Sequence, residues 1–528
     1  MTDTKYKMTV SQTYAHRRPL PAQGGALGRG RVTVETFFNS TVYFPAMILF
    51  GAVCIFLGLQ IPGMVVLAVF VTVAQLTCPD LMVNVLPLVM FLLFGTRYYD
   101  NIGSLLPLGW IIPMVLGSFI YNLVHWKTPL RRGFCFKSLI AVSLAALLGG
   151  VGYISAKEYF SPMALYYTLG LGAAMLLVSL VFDTNLSRPR SYDLADRFCK
   201  ILYVMGVISA FVVVNYYIVH FAEFMKSQDL LYISYRNYLT TMFLMALPAP
   251  FRYVRRSRMH ICSIVFMYCA LLVTGSRSGL LFGTIIVFMC MFLSVRQSVD
   301  GKKRRWLLLA NLAAAGALIF VLCNTLLSSR MVDGSLFPVT DSRLDFMKQS
   351  VLDFLANPLT GIGLGNLQNS NIFIGVGGSM VWYHNYFAQI IGSMGILGII
   401  AYGWLLRDRA RLLWGMFKSG EAMLCMSYVG MFLVSMTNPG EFCPLPNAFL
   451  VVVLFSVADN IRSSKAKSTI SGETVKVTWS EPSRGVAGQF DLRHNTVSST
   501  ECTSDLVIED DTEDGENTKY VTVYRRFP

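Results

Sequence analysis

His384 stands in the run Trp382-Tyr383-His384-Asn385-Tyr386. A neutral imidazole takes up a proton near neutral pH, which few other side chains do. The residue reads either as a general base or as an ordinary interfacial histidine among aromatic rings. Further back, Thr274-Gly275-Ser276-Arg277-Ser278-Gly279 puts one arginine at the head of an apolar block. A helix starting there already carries partial positive charge, so a cation is unfavourable unless an anion joins it. Arg277 is then an anion ligand, or an arginine snorkelling to lipid headgroups. Arg343 lies in Thr340-Asp341-Ser342-Arg343-Leu344-Asp345-Phe346-Met347-Lys348. Ser342 with Asp345 three residues on resembles a capping box. Leu344, Met347, Val351, Phe354 and Leu355 follow as an apolar stripe. This pattern predicts an amphipathic surface helix over 342–356, ended by Asn357-Pro358, with Arg343 in its first turn. There Arg343 is a ligand or simply faces headgroups. Gly361-Ile362-Gly363-Leu364-Gly365-Asn366 lacks the strand and final glycine of a dinucleotide loop and reads as a flexible turn.

The elements that must hold these residues are membrane helices. The chain has 528 residues, 54% hydrophobic and only 14% charged, where soluble proteins carry about 25% charge. The apolar residues come in uncharged blocks near the length a bilayer requires. Spans are expected near 43–59, 61–77, 81–96, 105–124, 137–155, 162–182, 200–220, 238–250, 260–274, 279–295, 306–327, 384–405, 421–437 and 446–459. The fold class is thus all-α: a polytopic transmembrane helix bundle of about 12–14 spans.

The net charge of +14 points to orientation and anionic lipid rather than to nucleic acid, because the basic residues sit in short loops. With the N-terminus in the cytoplasm, Lys127, Arg131, Arg132 and Lys137 share the cytoplasmic side with Arg188, Arg190, Arg197 and Lys200. So do Arg252, Arg255, Arg256, Arg258, Arg296, Lys302, Lys303, Arg304 and Arg305, and then Arg407, Arg409, Arg411 and Lys418. Basic residues there far outnumber those opposite, as the positive-inside rule asks. The expected organisation is a cytoplasmic segment 1–40, a membrane domain 41–459 with one large extracytoplasmic loop at 328–383, and a cytoplasmic, largely disordered tail 460–528. Arg277, Arg343 and His384 fall on the extracytoplasmic side, with Arg236, Arg330 and Glu441 as secondary candidates.

The 11 cysteines contain no CxxC pair, so no zinc or redox site is indicated. No signal-peptide pattern precedes the first span. The spans hold essentially no Asp, Glu, Lys or Arg, which counts against an ion-coupled carrier.

Taken in order, Thr274–Gly279, Arg343, Asn357–Asn366, His384-Asn385-Tyr386 and Gly395-Ile396-Leu397-Gly398, with a large outer loop between two spans, resemble the O-antigen ligase and O-antigen polymerase superfamily. The resemblance covers about residues 260–405. It implies a GT-C-like glycosyltransferase of polysaccharide and cell-envelope biosynthesis in the bacterial cytoplasmic membrane. The donor is then a glycan on polyprenyl (undecaprenyl) diphosphate, and the acceptor a glycan, a lipid-linked glycan or a protein. It further implies that Arg277 and Arg343 bind the diphosphate, that His384 is catalytic, and that neither a metal nor another cofactor takes part. About fourteen spans exceed the twelve or so expected of the ligases. A cell-wall glycan polymerase, a more distant relative, would instead favour Asp341 or Asp345. The alternative to an enzyme is a flippase or exporter of lipid-linked saccharides.

Overall fold

The computed structural model describes residues 26–94, 107–151, 162–188, 190, 192–222, 233–254, 257, 259–296, 338–364, 382–438, 440–470, 506–514 and 518–525. In chain order the helices are α1 (Ala26–Asn39), α2 (Tyr43–Phe56), α3 (Gln60–Thr77), α4 (Leu86–Phe94), α5 (Ile111–His125), α6 (Phe136–Val151) and α7 (Pro162–Leu169). A π-turn, Gly170–Ala174, carries α7 into α8 (Met175–Asn185). Then come α9 (Leu194–Val219), α10 (Ile233–Ala246), α11 (Pro248–Phe251), α12 (Met259–Val273), α13 (Arg277–Arg296), α14 (Pro338–Ala356), α15 (Tyr386–Lys418), α16 (Ala422–Ser435) and α17 (Leu445–Ile470). A helix occupies each expected span that falls within the described residues. The span expected at 306–327 and Arg330 lie outside them.

Among the described residues, six helices are long and apolar enough to cross a membrane, or seven if the α1–α2 pair, bent by 80°, counts as one. The protein is a multi-pass helical membrane protein. Its connections segregate into two sets. In one, Arg188 reaches Pro79, Asn122 and Thr128, Arg131 pairs with Asp459 at 3.1 Å, and Arg252 contacts Glu421 and Asp193. In the other, Tyr217 Oη donates to Val273 O at 2.7 Å, and Tyr167 packs on Trp382 and Cys443. α9 starts beside Arg252 and ends beside Tyr217, a run of about 39 Å at 1.5 Å per residue. The sets therefore lie at opposite ends of the bundle, and each gathers loops that the charge alternation places on one side.

Two helices depart from expectation. α14 begins at Pro338, one turn before Ser342. Proline suits a first helical position because its missing N–H has no partner to lose and its φ is preset. Ser342 is thus inside the helix rather than at its start, and Arg343 sits in the second turn. The helix is amphipathic in an unusual sense: Gln349, Ser350 and Asp353 are buried, while Leu344, Met347, Val351, Leu352 and Leu355 are exposed. A helix with its apolar face outward suits a lipid surface rather than water.

α15 is the second departure. Gly395 breaks it at φ 58°, ψ −149°. The Tyr386 and Tyr402 rings stand 6.0 Å apart, whereas sixteen residues of straight helix would separate them by about 24 Å. The expected span 384–405 is therefore two limbs folded against each other. The Gly361 motif meets this fold: Ile362 N and Gly363 N donate to Gly392 O and Ser393 O, both at 3.0 Å, and Ile396 N donates to Pro358 O at 2.8 Å. A Cβ on Gly395 would lie 2.5 Å from Pro358 O, and Gly361, at φ +66°, has a similar approach to Met394 N. Backbone contact this close, at positive φ, admits only glycine. What reads as a flexible turn is a backbone clasp around the break, and the residues from 365 to 381 lie outside the described ones.

In the tail, where largely unstructured chain is expected, α17 continues to Ile470 and an antiparallel hairpin pairs β1 (Leu506–Asp514) with β2 (Thr518–Arg525), with a register shift between Asp510 and Glu513. The valines and tyrosines of Tyr520-Val521-Thr522-Val523-Tyr524 favour extended chain.

Candidate functional site

His384 precedes the first limb of α15 with φ 53°, a left-handed backbone that non-glycine residues seldom hold. Both neighbours are pinned. Asn385 caps the helix, its Oδ1 accepting from Phe387 N at 3.0 Å and Ala388 N at 3.1 Å. Its Nδ2 donates to Met436 O at 3.0 Å, just beyond α16. Tyr383 N donates to Gln389 Oε1 at 3.1 Å, and the Tyr383 hydroxyl donates to the Asp353 carboxylate on α14. Strain of this kind costs of order 1–3 kcal/mol and persists only where the surroundings enforce it.

Arg277 is the first residue of α13, and Ser276 caps that helix by accepting from Gly279 N at 3.1 Å. Ser278, next to Arg277, accepts from Asn438 Nδ2 at 2.9 Å. Asn385 and Ser278 are therefore both tied to one short stretch, Met436–Asn438, whose two residue steps span at most about 7 Å. The head of α13 and the head of α15 meet there. Arg343 enters from α14: Phe346, three residues on, packs its ring 5.4 Å from that of His384, and residues three apart are neighbours along a helix. The three main candidates thus belong to elements converging at one end of the bundle.

Residues 262–403 match the O-antigen ligase family, Wzy_C. The matched segment runs from within α12 to within the second limb of α15, and includes Arg277, Arg343, the Gly361 motif, His384 and Gly395. A search of curated proteins finds no match. Asn438, which donates to Ser278, lies beyond the matched segment.

The secondary candidates lie on separate stretches of chain. Arg236 lies on α10 and Arg330 falls outside the described residues. Glu441 is 3% exposed and bonded to Arg409, itself 1% exposed, at 2.7 Å. Arg409 also donates to Tyr428 Oη at 3.3 Å and lies over the Phe455 ring at 5.0 Å. This corrects two expectations. Arg409 is not a loop residue, because the second limb of α15 continues to Lys418 and carries it inside the bundle. The bundle interior accordingly holds an ion pair, so missing charge inside the bundle no longer argues against a carrier.

Asp353 is a functional candidate that the apolar stripe concealed. It is 7% exposed, and its second oxygen accepts from Gln349 Nε2 at 2.7 Å. Burial pushes its carboxyl above the ordinary range, while the bonds from Tyr383 and Gln349 pull it back. Among the described residues, no three His, Cys, Asp or Glu side chains group as metal ligands.

Proposed function

We propose that the protein is a membrane glycosyltransferase of the ligase or polymerase type. It moves a glycan from polyprenyl diphosphate to an acceptor hydroxyl at the extracytoplasmic face of the cytoplasmic membrane. The carrying observation is the convergence of the Arg277, Arg343 and His384 elements around Met436–Asn438. In this reading His384 takes the proton of the acceptor hydroxyl as its oxygen attacks the anomeric carbon. The bond from that carbon to the diphosphate breaks, and its electron pair leaves with the lipid diphosphate. Charge developing on that leaving group is stabilised by Arg277 and Arg343, since guanidinium binds phosphate oxygens in pairs and stays charged.

The test is purified protein with undecaprenyl-diphosphate oligosaccharide and candidate acceptors added singly. Transfer supports the reading; intact donor with every acceptor class counts against it. Sidedness has its own check. Cysteines placed in 338–364 must react with an impermeant thiol reagent from the extracytoplasmic side, and reaction only from the cytosol overturns the donor assignment.

The buried Arg409–Glu441 pair favours a second reading, a flippase or exporter of lipid-linked saccharides, because ionisable groups inside a bundle often mark transport routes. A null strain separates the two. A transferase leaves polyprenyl-linked glycan on the extracytoplasmic leaflet, and a flippase leaves it on the cytoplasmic one.

A further inference from the structure

His384 and Arg343 come from different elements, and nothing in the chain sequence fixes their separation. In the structure a buried polar contact joins their elements, beside the packing of Phe346 on the His384 ring. The Tyr383 hydroxyl bonds to Asp353, ten residues along α14 from Arg343. The Tyr383 backbone N–H is held by Gln389, whose amide donates to Ser393 Oγ at 2.6 Å. The ring lies against Gly392, where an added Cβ would come within 2.7 Å of it. Tyr383 is thus fixed at its backbone, ring and hydroxyl, immediately before the left-handed His384. Asp353 faces inward on a helix whose outward face is apolar, so it binds α14 to the bundle by a polar contact where lipid offers no competing partner.

We propose that Asp353 is a positioning residue. Through the Tyr383 hydroxyl it holds α14 against the segment 383–385 and sets the spacing between Arg343 and His384. This rests on the reading of both residues as parts of the transfer site.

The experiment uses the full-length protein with undecaprenyl-diphosphate oligosaccharide and an acceptor that the wild type glycosylates. Tyr383→Phe and Asp353→Ala are each expected to lower kcat by about 10- to 100-fold, the scale of a misplacement near one ångström. The KM for the donor should stay within about 3-fold, since the contact touches no substrate. The double variant should be no slower than the worse single one, because both remove the same link. Asp353→Asn, whose amide oxygen still accepts from the phenol, should keep the rate within about 3-fold of wild type. Additive losses in the double variant, or a change in KM alone, overturn the proposal.

Hydrogen exchange supplies a readout independent of turnover. Tyr383→Phe removes a single oxygen and keeps the ring, and it should speed amide exchange in both 344–356 and 382–388. Unchanged protection in either segment also overturns the proposal. If the wild type transfers nothing, the functional reading falls, and the exchange result still decides whether the contact couples the two segments.

Discussion

Replacing Glu441 with Gln should be among the most damaging single changes in the bundle. Its carboxylate meets Arg409 at 2.7 Å, with both side chains almost wholly out of contact with solvent. Two unit charges about 4 Å apart attract by about 4 kcal/mol at an effective dielectric near 20, and the desolvation of each ion offsets several kcal/mol of that. The pair therefore adds little net stability, but breaking it leaves a lone buried charge, which costs about 3–5 kcal/mol. That is a loss of roughly two to three and a half orders of magnitude in the folded-to-unfolded ratio. Arg409→Met should cost less, because a stranded carboxylate can take up a proton whereas a stranded guanidinium cannot discharge. The double variant Arg409→Met with Glu441→Leu should return to within about 1 kcal/mol of wild type. Unfolding of the purified protein in mixed micelles, titrated with denaturing detergent, measures all three. A double variant as unstable as Glu441→Gln would show that the pair is not an isolated buried couple and would refute the reasoning.

His384→Ala should lower transfer by about 10²- to 10⁴-fold, the usual share of a general base, with normal membrane insertion; glycan assembly at wild-type level would remove His384 from the chemistry. Gly395→Ala places a Cβ against Pro358 O at positive φ and should cost more than the roughly 1–3 kcal/mol of the backbone conformation alone, read as a fall in thermal stability. A neutral change there would mean that the clasp yields. Asp353 has a native pKa above its ordinary 3.8, so the folded state holds the proton more tightly than the unfolded one. Its contribution is greatest below 3.8 and is lost as pH rises through the higher native value. The stability difference between wild type and Asp353→Asn should follow that slope, and a flat difference across the interval would contradict the assignment.

The bundle was legible because lipid leaves the chain little choice: uncharged apolar blocks of membrane length mark helices wherever they occur. Arg409 escaped because the same rule ends a span at the first cluster of charges, here Arg407 to Arg411, whereas the helix runs on and buries one of them. The break at Gly395 was hidden in a continuous apolar stretch, where hydropathy does not register a reversal of direction. The apolar stripe of α14, Leu344 to Leu355, obscures its buried face, although Gln349 and Asp353, four apart, are visible as a polar pair. The Ser342 cap lost to Pro338 because a proline start competes with a serine one and local patterns do not rank them. Arg277, Arg343 and His384 stand out in the sequence by residue type and order. Their convergence depends on Asn385 and Asn438, two common amides whose reach across elements becomes apparent only after folding.

The chain leaves the clasp at Gly363 and returns to it at Tyr383, and both residues rest on the same turn at Gly392. Whatever lies between them is a detour with a shared departure and arrival point. Doubling such a detour costs only about 0.6 kcal/mol in closure entropy. The number of residues between these two points can therefore change at little cost to the glycine clasp that holds both ends.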